Sequence, residues 1–260
     1  MAAVLSSSEL RSLHAFIVAD ASSTAEARAD VAEWLRVAIS RAREMRRSLI
    51  IEGEFRTSSA ALGVVQQFLD AGYEAEVIVV IPRRAETLLA VASSRLRAVQ
   101  RGGGARETTV ADHDARWADA REVLVASTSA RPDMQLTILD GSGTPVLNDA
   151  ATPADTFDRA RAGGPTKRAA VEWLGELRRV TDFARTLPPR ATELDLLIEL
   201  HQLALREVVP RMNLSAGSTT GPQLESRLAA EAQSLRRQRA ALPTSGPANV
   251  AGPELPAIDR

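Results

Sequence analysis

The stretch from Ser48 to Ile81, SLIIEGEFRTSSAALGVVQQFLDAGYEAEVIVVI, limits the possible folds more than any other. Ser48 to Ile51 is a short apolar run that ends on Glu52-Gly53. Thr57 or Ser58 can cap a helix whose apolar positions, Leu62, Val65, Phe68 and Leu69, recur at helical spacing. Gly72 ends that helix, and Glu74 to Ile81 is a second run, rich in Val and Ile, stopped by Pro82. Strand, crossover helix and strand within about thirty residues form a βαβ unit, which implies a parallel sheet. Ligands of such sheets bind beyond the carboxyl ends of the strands. Glu52 stands at one of those ends beside a glycine, so it is a candidate site residue; a helix-capping or salt-bridge role is the competing reading.

The flanking sequence extends this pattern. Ala2 to Ser8 is a weak strand candidate and Glu9 to His14 reads as helical. From Thr24 to about Arg47 an amphipathic helix presents Val31, Trp34, Leu35, Ala38, Ile39, Ala42 and Met45 on one face. A helix before the strand at 48–51 and another after it put helices on both faces of the sheet. After Pro82 come a helix over 85–100, the glycine break Gly102-Gly103-Gly104, a helix over 114–127 and a strand over 134–140. Near residue 150 the character changes. Gly163-Gly164-Pro165 closes a short helix, and longer helices follow over 166–186, with Val171, Leu174, Leu177 and Val180 inward, over 192–212 and over 223–241. The expected organisation is an α/β core over 1–150, a helical extension over 151–242 and a disordered Pro/Gly-rich tail over 243–260.

Composition closes off several classes. Apolar content of 45% supports a core, and aromatics at 3% mean that Leu, Val, Ile and Ala must build it. A net charge of −1 offers no general attraction to nucleic acid or acidic membranes. The absence of cysteine removes disulfides, thiolate metal sites and a catalytic thiol. No apolar run reaches membrane-spanning length and no leader is evident, so a cytoplasmic protein is expected.

Four blocks in order carry a resemblance: SELRSLH at 8–14, IIEGEFR followed by a helix and AGYEAEVIVV, SSRLR at 93–97, and GGARETTVADHDA at 103–115. Together they resemble the zeta toxin family from about Leu5 to about Val146. The resemblance implies a P-loop kinase core, ATP and Mg²⁺ as cofactors, and transfer of phosphate to the 3′-hydroxyl of the sugar in UDP-N-acetylglucosamine. It also implies the toxin role in a toxin–antitoxin pair, with an antitoxin protein as partner. By the same resemblance Glu52 and Arg56 belong to UDP-sugar binding, Arg95 and Arg106 to the phosphate-transfer site, and His113-Asp114 to a family H-D pair. For His113 alone, capping or packing is the competing reading.

Two departures cut against activity. A P-loop, G-x-x-x-x-G-K-[ST], cradles phosphates on backbone N–H groups while its lysine reaches the β/γ-phosphates and its hydroxyl holds Mg²⁺. The nearest string is Gly163 to Arg168, GGPTKR, around the sole lysine, Lys167, and it reads as a loop opening a helix. In the family the P-loop precedes the segment matching Leu5 to His14, and its strand is central in the sheet; without it two strands face a gap. The second departure lies in the family's I-D-x-D-x-x-R-x-x-H-P motif. Ser6 and Ser8 replace both aspartates, one of which is the general base, and Ala15 replaces the proline. A neutral serine does not accept a proton as a carboxylate does. The expectation is therefore a truncated or degenerate kinase, with a start further upstream and a non-catalytic interaction protein as alternatives.

Overall fold

The computed structural model describes residues 2–6, 10, 25–52, 57–101, 108–130, 135–146, 152–212, 214–215 and 219–243. The expected tail beyond 243 lies outside them. Strand β1 (Ala3–Ser6) is followed by helix α1 (Ala25–Glu44), β2 (Leu49–Glu52), α2 (Ser58–Asp70) and β3 (Glu76–Ile81). Then come α3 (Arg84–Gln100), α4 (Val110–Ala130), β4 (Gln135–Asp140), α5 (Pro153–Ala162), α6 (Lys167–Ala184), α7 (Ala191–Leu203) and α8 (Thr220–Ala241). This is an α/β architecture with parallel strands, flanking helices and a helical C-terminal part. Thr57 caps α2, its hydroxyl accepting from Ala60 N, and Gly72 closes it at φ +78°.

The strands form two separate parallel pairs. β1 lies beside β2, from Ala3 opposite Leu49 to Ser6 opposite Glu52. β3 lies beside β4, from Glu76 opposite Gln135 to Ile81 opposite Asp140. The βαβ segment thus joins strands that do not pair with each other. A crossover helix leaves room for a strand to be skipped, so the pattern does not decide adjacency. One face of the β3–β4 pair is covered: Ile81 and Ile138 pack with Leu124 of α4 and Phe157 of α5. The other face leaves Ile78 and Val80 each 55% exposed.

The larger core lies among the helices and crosses residue 150. Leu88, Leu89, Ala92 and Leu96 of α3 pack with Trp173 and Leu177 of α6, Leu197 and Leu200 of α7, and Leu228 and Leu235 of α8. The buried face of α6 differs from the expected one. Val171 is 52% exposed, whereas Ala170, Trp173, Leu177, Val180 and Thr181 are buried. The aliphatic-only reading missed Trp173, whose indole N–H donates to the Ala85 carbonyl at 2.9 Å. The helix expected over 192–212 is not regular to its end. After Leu203 it widens into a π-helical turn over Ala204–Val208 and tightens into a 3₁₀ turn over Val209–Met212. Pro210 has no N–H for an α-helical bond and forces the change. His201 is fully buried between helices, its ring nitrogens 2.8 Å from the Leu197 carbonyl and 3.0 Å from the Glu231 carboxylate.

Polar side chains of α3 tie the two parts together. Arg84 donates to Glu199 at 2.7 Å and, through two N–H groups, to Asp114 at 2.7 and 2.8 Å. Ser93 donates to Glu176 at 2.7 Å, and Arg97 reaches the same carboxylate at 3.0 Å. Arg95 meets Glu193 at 3.0 Å, with only 4% and 10% of the two side chains exposed.

Two predictions follow from these contacts. Removing one member of a buried ion pair strands the other charge, at a cost of about 3–5 kcal/mol, whereas replacing both with apolar groups is close to neutral. Arg95→Met should therefore lower urea-unfolding stability by that order, and Arg95→Met with Glu193→Leu should recover most of the loss. A single variant as stable as the parent would contradict the assignment.

The second prediction concerns acid. The Ser93 hydroxyl, and then Arg179, hold the Glu176 carboxyl below its usual range against burial. Burial pushes Asp114 up, but hydrogen bonds from Arg84 and His113 outweigh it and leave the carboxyl lowered. A carboxyl depressed on folding contributes stability in full above its unfolded value, about pH 4, and loses it as pH falls through the folded value. Unfolding midpoints should accordingly drop as pH falls below about 4, and less steeply in Glu176→Gln. An identical acid slope in parent and variant would rule out this linkage.

Candidate functional site

The carboxyl ends of β1 and β2 bring two of the sequence-derived candidates together. Ser6 and Glu52 are register partners, so they leave neighbouring backbones about 4.8 Å apart on the same side of the pair. Ser6 is only 5% exposed, while Glu52 opens to solvent at the strand end. The same side carries Val4 and Ile50, which are half exposed. A carboxylate at a strand end beside a buried hydroxyl can accept hydrogen bonds from a sugar or base. Ser8, Arg56 and Arg106 lie outside the described residues.

Arg95, Arg97 and Arg101, which precede the glycine break, are placed differently from one another. Arg95 faces the protein interior and is engaged by Glu193 of α7. Arg97 lies at the surface on Glu176, and Arg101 donates through its Nε to the Arg97 carbonyl. His113 is buried, with Nδ1 3.0 Å from Asp114 and Nε2 2.8 Å from the Thr87 hydroxyl. Asp114 is in turn held by Arg84, so the H-D pair braces α4 against α3.

The implied ATP and Mg²⁺ do not fit the residues described. The GGPTKR string follows α5 rather than a strand, and the Thr166 hydroxyl is occupied as the N-cap of α6, accepting from Ala169 N. Arg168 extends along the outside of α6 to Glu172. Among the described residues, no group of three or more His, Asp or Glu side chains is placed to hold a metal ion. No helix among them is long and apolar enough to cross a membrane.

A second carboxyl edge lies at the ends of β3 and β4. After β4, Asp140 accepts from the Ser142 amide at 2.8 Å, the Ser142 hydroxyl at 2.6 Å and the Thr144 amide at 3.0 Å. The Ser142 hydroxyl, followed by the Thr144 amide, holds this carboxyl below its usual range. Beside it, Pro82 and Arg83 follow β3 into α3. The signal available was an Asp-Gly-Ser-Gly turn after one apolar run and Pro-Arg-Arg after the other.

No curated protein matches the sequence. A solved chain from the PezAT chromosomal toxin-antitoxin system of Streptococcus pneumoniae superposes with a TM-score of 0.57 at 13% identity. The match covers 69% of this chain and 75% of that one, and it shows a common fold. The zeta toxin family model matches residues 2–151. That span is more than half of the chain and contains all four blocks, so the chain belongs to the zeta toxin family.

Proposed function

We propose that the chain is the toxin-type component of a toxin–antitoxin pair, built on an ATP-dependent UDP-N-acetylglucosamine kinase and retaining the sugar-nucleotide side of its site. The observation that carries this reading is the pairing of Ser6 with Glu52 at the carboxyl ends of adjacent parallel strands. Glu52 is the group that accepts hydrogen bonds from the UDP-sugar, with help from Arg56, and Arg106 belongs to the phosphate side; Arg95, which the resemblance also puts there, is turned inward onto Glu193. Ser6 and Ser8 stand in place of the base and leave the sugar hydroxyl's proton without an acceptor. Residues 1–260 contain no G-x-x-x-x-G-K-[ST] string. Loss of the base should reduce turnover more than binding, because proton removal belongs to the transition state. The kinase of this reading is therefore degenerate as it stands.

The exposed Ile78, Val80, Val4 and Ile50 favour a second reading. Parallel sheets are ordinarily covered on both faces. A non-catalytic interaction protein on a kinase core would use these residues against a partner.

Calorimetry separates the readings. UDP-N-acetylglucosamine should bind saturably, and Glu52→Ala should weaken it by about tenfold, the worth of one or two hydrogen bonds to a charged group. ATP with Mg²⁺ should not bind the 260-residue chain. Equal affinity for the UDP-sugar in parent and variant would remove Glu52 from the site, and a micromolar ATP dissociation constant would refute the degenerate reading. No UDP-sugar binding at all would favour the interaction protein.

A further inference from the structure

A cleft of about 60 Å³ opens beside the carboxyl ends of β3 and β4, between the start of α3, the loop 163–166 and the 3₁₀ turn. It lies in the second carboxyl edge and takes no part in the reading of Glu52. Arg83, Arg161 and Arg211 line it, together with Glu86 and Glu207. Its side chains therefore carry three positive charges against two negative ones.

The cleft is assembled by close packing. Glu86 accepts from the Arg83 amide at 2.9 Å and from its Nη1 at 2.5 Å, which fixes Arg83 at the strand end. The Nε of Arg83 is buried and has no hydrogen-bond partner. A Cβ at Gly141 would stand 2.6 Å from Glu86 Oε2, so glycine is required there for Glu86 to take this position. A Cβ at Gly164 would overlap the Arg211 side chain, which crosses that glycine to donate to the Ala162 carbonyl at 3.4 Å. The Arg161 guanidinium stacks on Trp117 at 3.1 Å, and burial lowers its pKa. That charge is desolvated more than it is compensated. Helix α6 begins at the same cleft and has no acidic residue in its first turn, so its positive dipole end is not offset locally.

A water needs about 10–15 Å³ of such space, so the cleft has room for several waters. One tetrahedral oxyanion fits. Guanidinium groups present paired N–H donors that match phosphate oxygens.

We propose that this cleft is an oxyanion site that takes one phosphoryl group, either free phosphate or the terminal phosphate of a larger molecule whose remainder stays outside. Glu207 sets its affinity by opposing the anion.

The test is titration of the full chain with inorganic phosphate at ionic strength matched with sodium chloride, repeated with glycerol 2-phosphate. Saturable phosphate binding is expected, weakened about tenfold in Arg161→Gln and in Arg211→Gln. Glu207→Gln should tighten it, an effect that misfolding cannot mimic. Glycerol 2-phosphate binding as tightly as phosphate identifies a terminal phosphoryl group as the ligand, and binding of phosphate alone identifies the free ion. No saturation beyond the chloride control overturns the proposal, as does an affinity unchanged in all three variants.

Discussion

Helix α3 is buried against α6 and α7, and that burial joins the α/β part of the chain to the helical part. Leu88, Leu89 and Leu96 enter the shared core, each contributing about 1.5–3 kcal/mol. The same helix carries Arg95 into the interface, where desolvating it and Glu193 costs several kcal/mol per ion. The apolar face therefore drives the docking, and the ion pair is a condition that docking must satisfy. The outer ties through Ser93, Arg97 and Arg84 are more exposed and worth less individually. They fix how α3 is rotated, because Ser93 and Arg97 reach Glu176 on α6 while Arg84 reaches Asp114 on α4 and Glu199 on α7.

The strands depend on α3 less directly. Two parallel pairs of four and six residues per strand are short for sheets standing alone. The β3–β4 pair is supported by α4 and α5 on one face. The two pairs are not hydrogen-bonded to each other. Ile78 and Val80 of β3 and Ile50 of β2 are half exposed.

Local features of this fold are legible in the sequence because they depend on near neighbours. Thr57 caps α2, Gly72 closes it, and Pro82 ends β3, each by chemistry confined to a few residues. Strand adjacency is not legible, because two Val/Ile-rich runs carry no mark of which other run each will meet. Arg95 shows the same limit. Beside a glycine break it reads as a surface or phosphate-binding arginine, and its burial depends on Glu193, far along the chain. Trp173 and Val171 both fit a helical period, and only the tertiary contact with the Ala85 carbonyl distinguishes them. At the candidate site, Glu52 was found from its position at a strand end, whereas its neighbour Ser6 was recognised only through the family motif.

The burial of Ser6 bears on how the two departures from the family pattern relate. A carboxylate at position 6 would be a desolvated charge, tolerable only with a cation or several hydrogen-bond donors close by. The cations that the family supplies near the transferring phosphate are the P-loop lysine and Mg²⁺. In this chain the sole lysine, Lys167, is exposed at the start of α6. A neutral hydroxyl at position 6 has no such requirement. At a buried strand end without a cation close by, serine is the less costly residue. Glu52, being exposed, is under no such pressure, since water solvates its charge with or without a partner. The difference in burial between two register partners accounts for one carboxylate being absent and the other present.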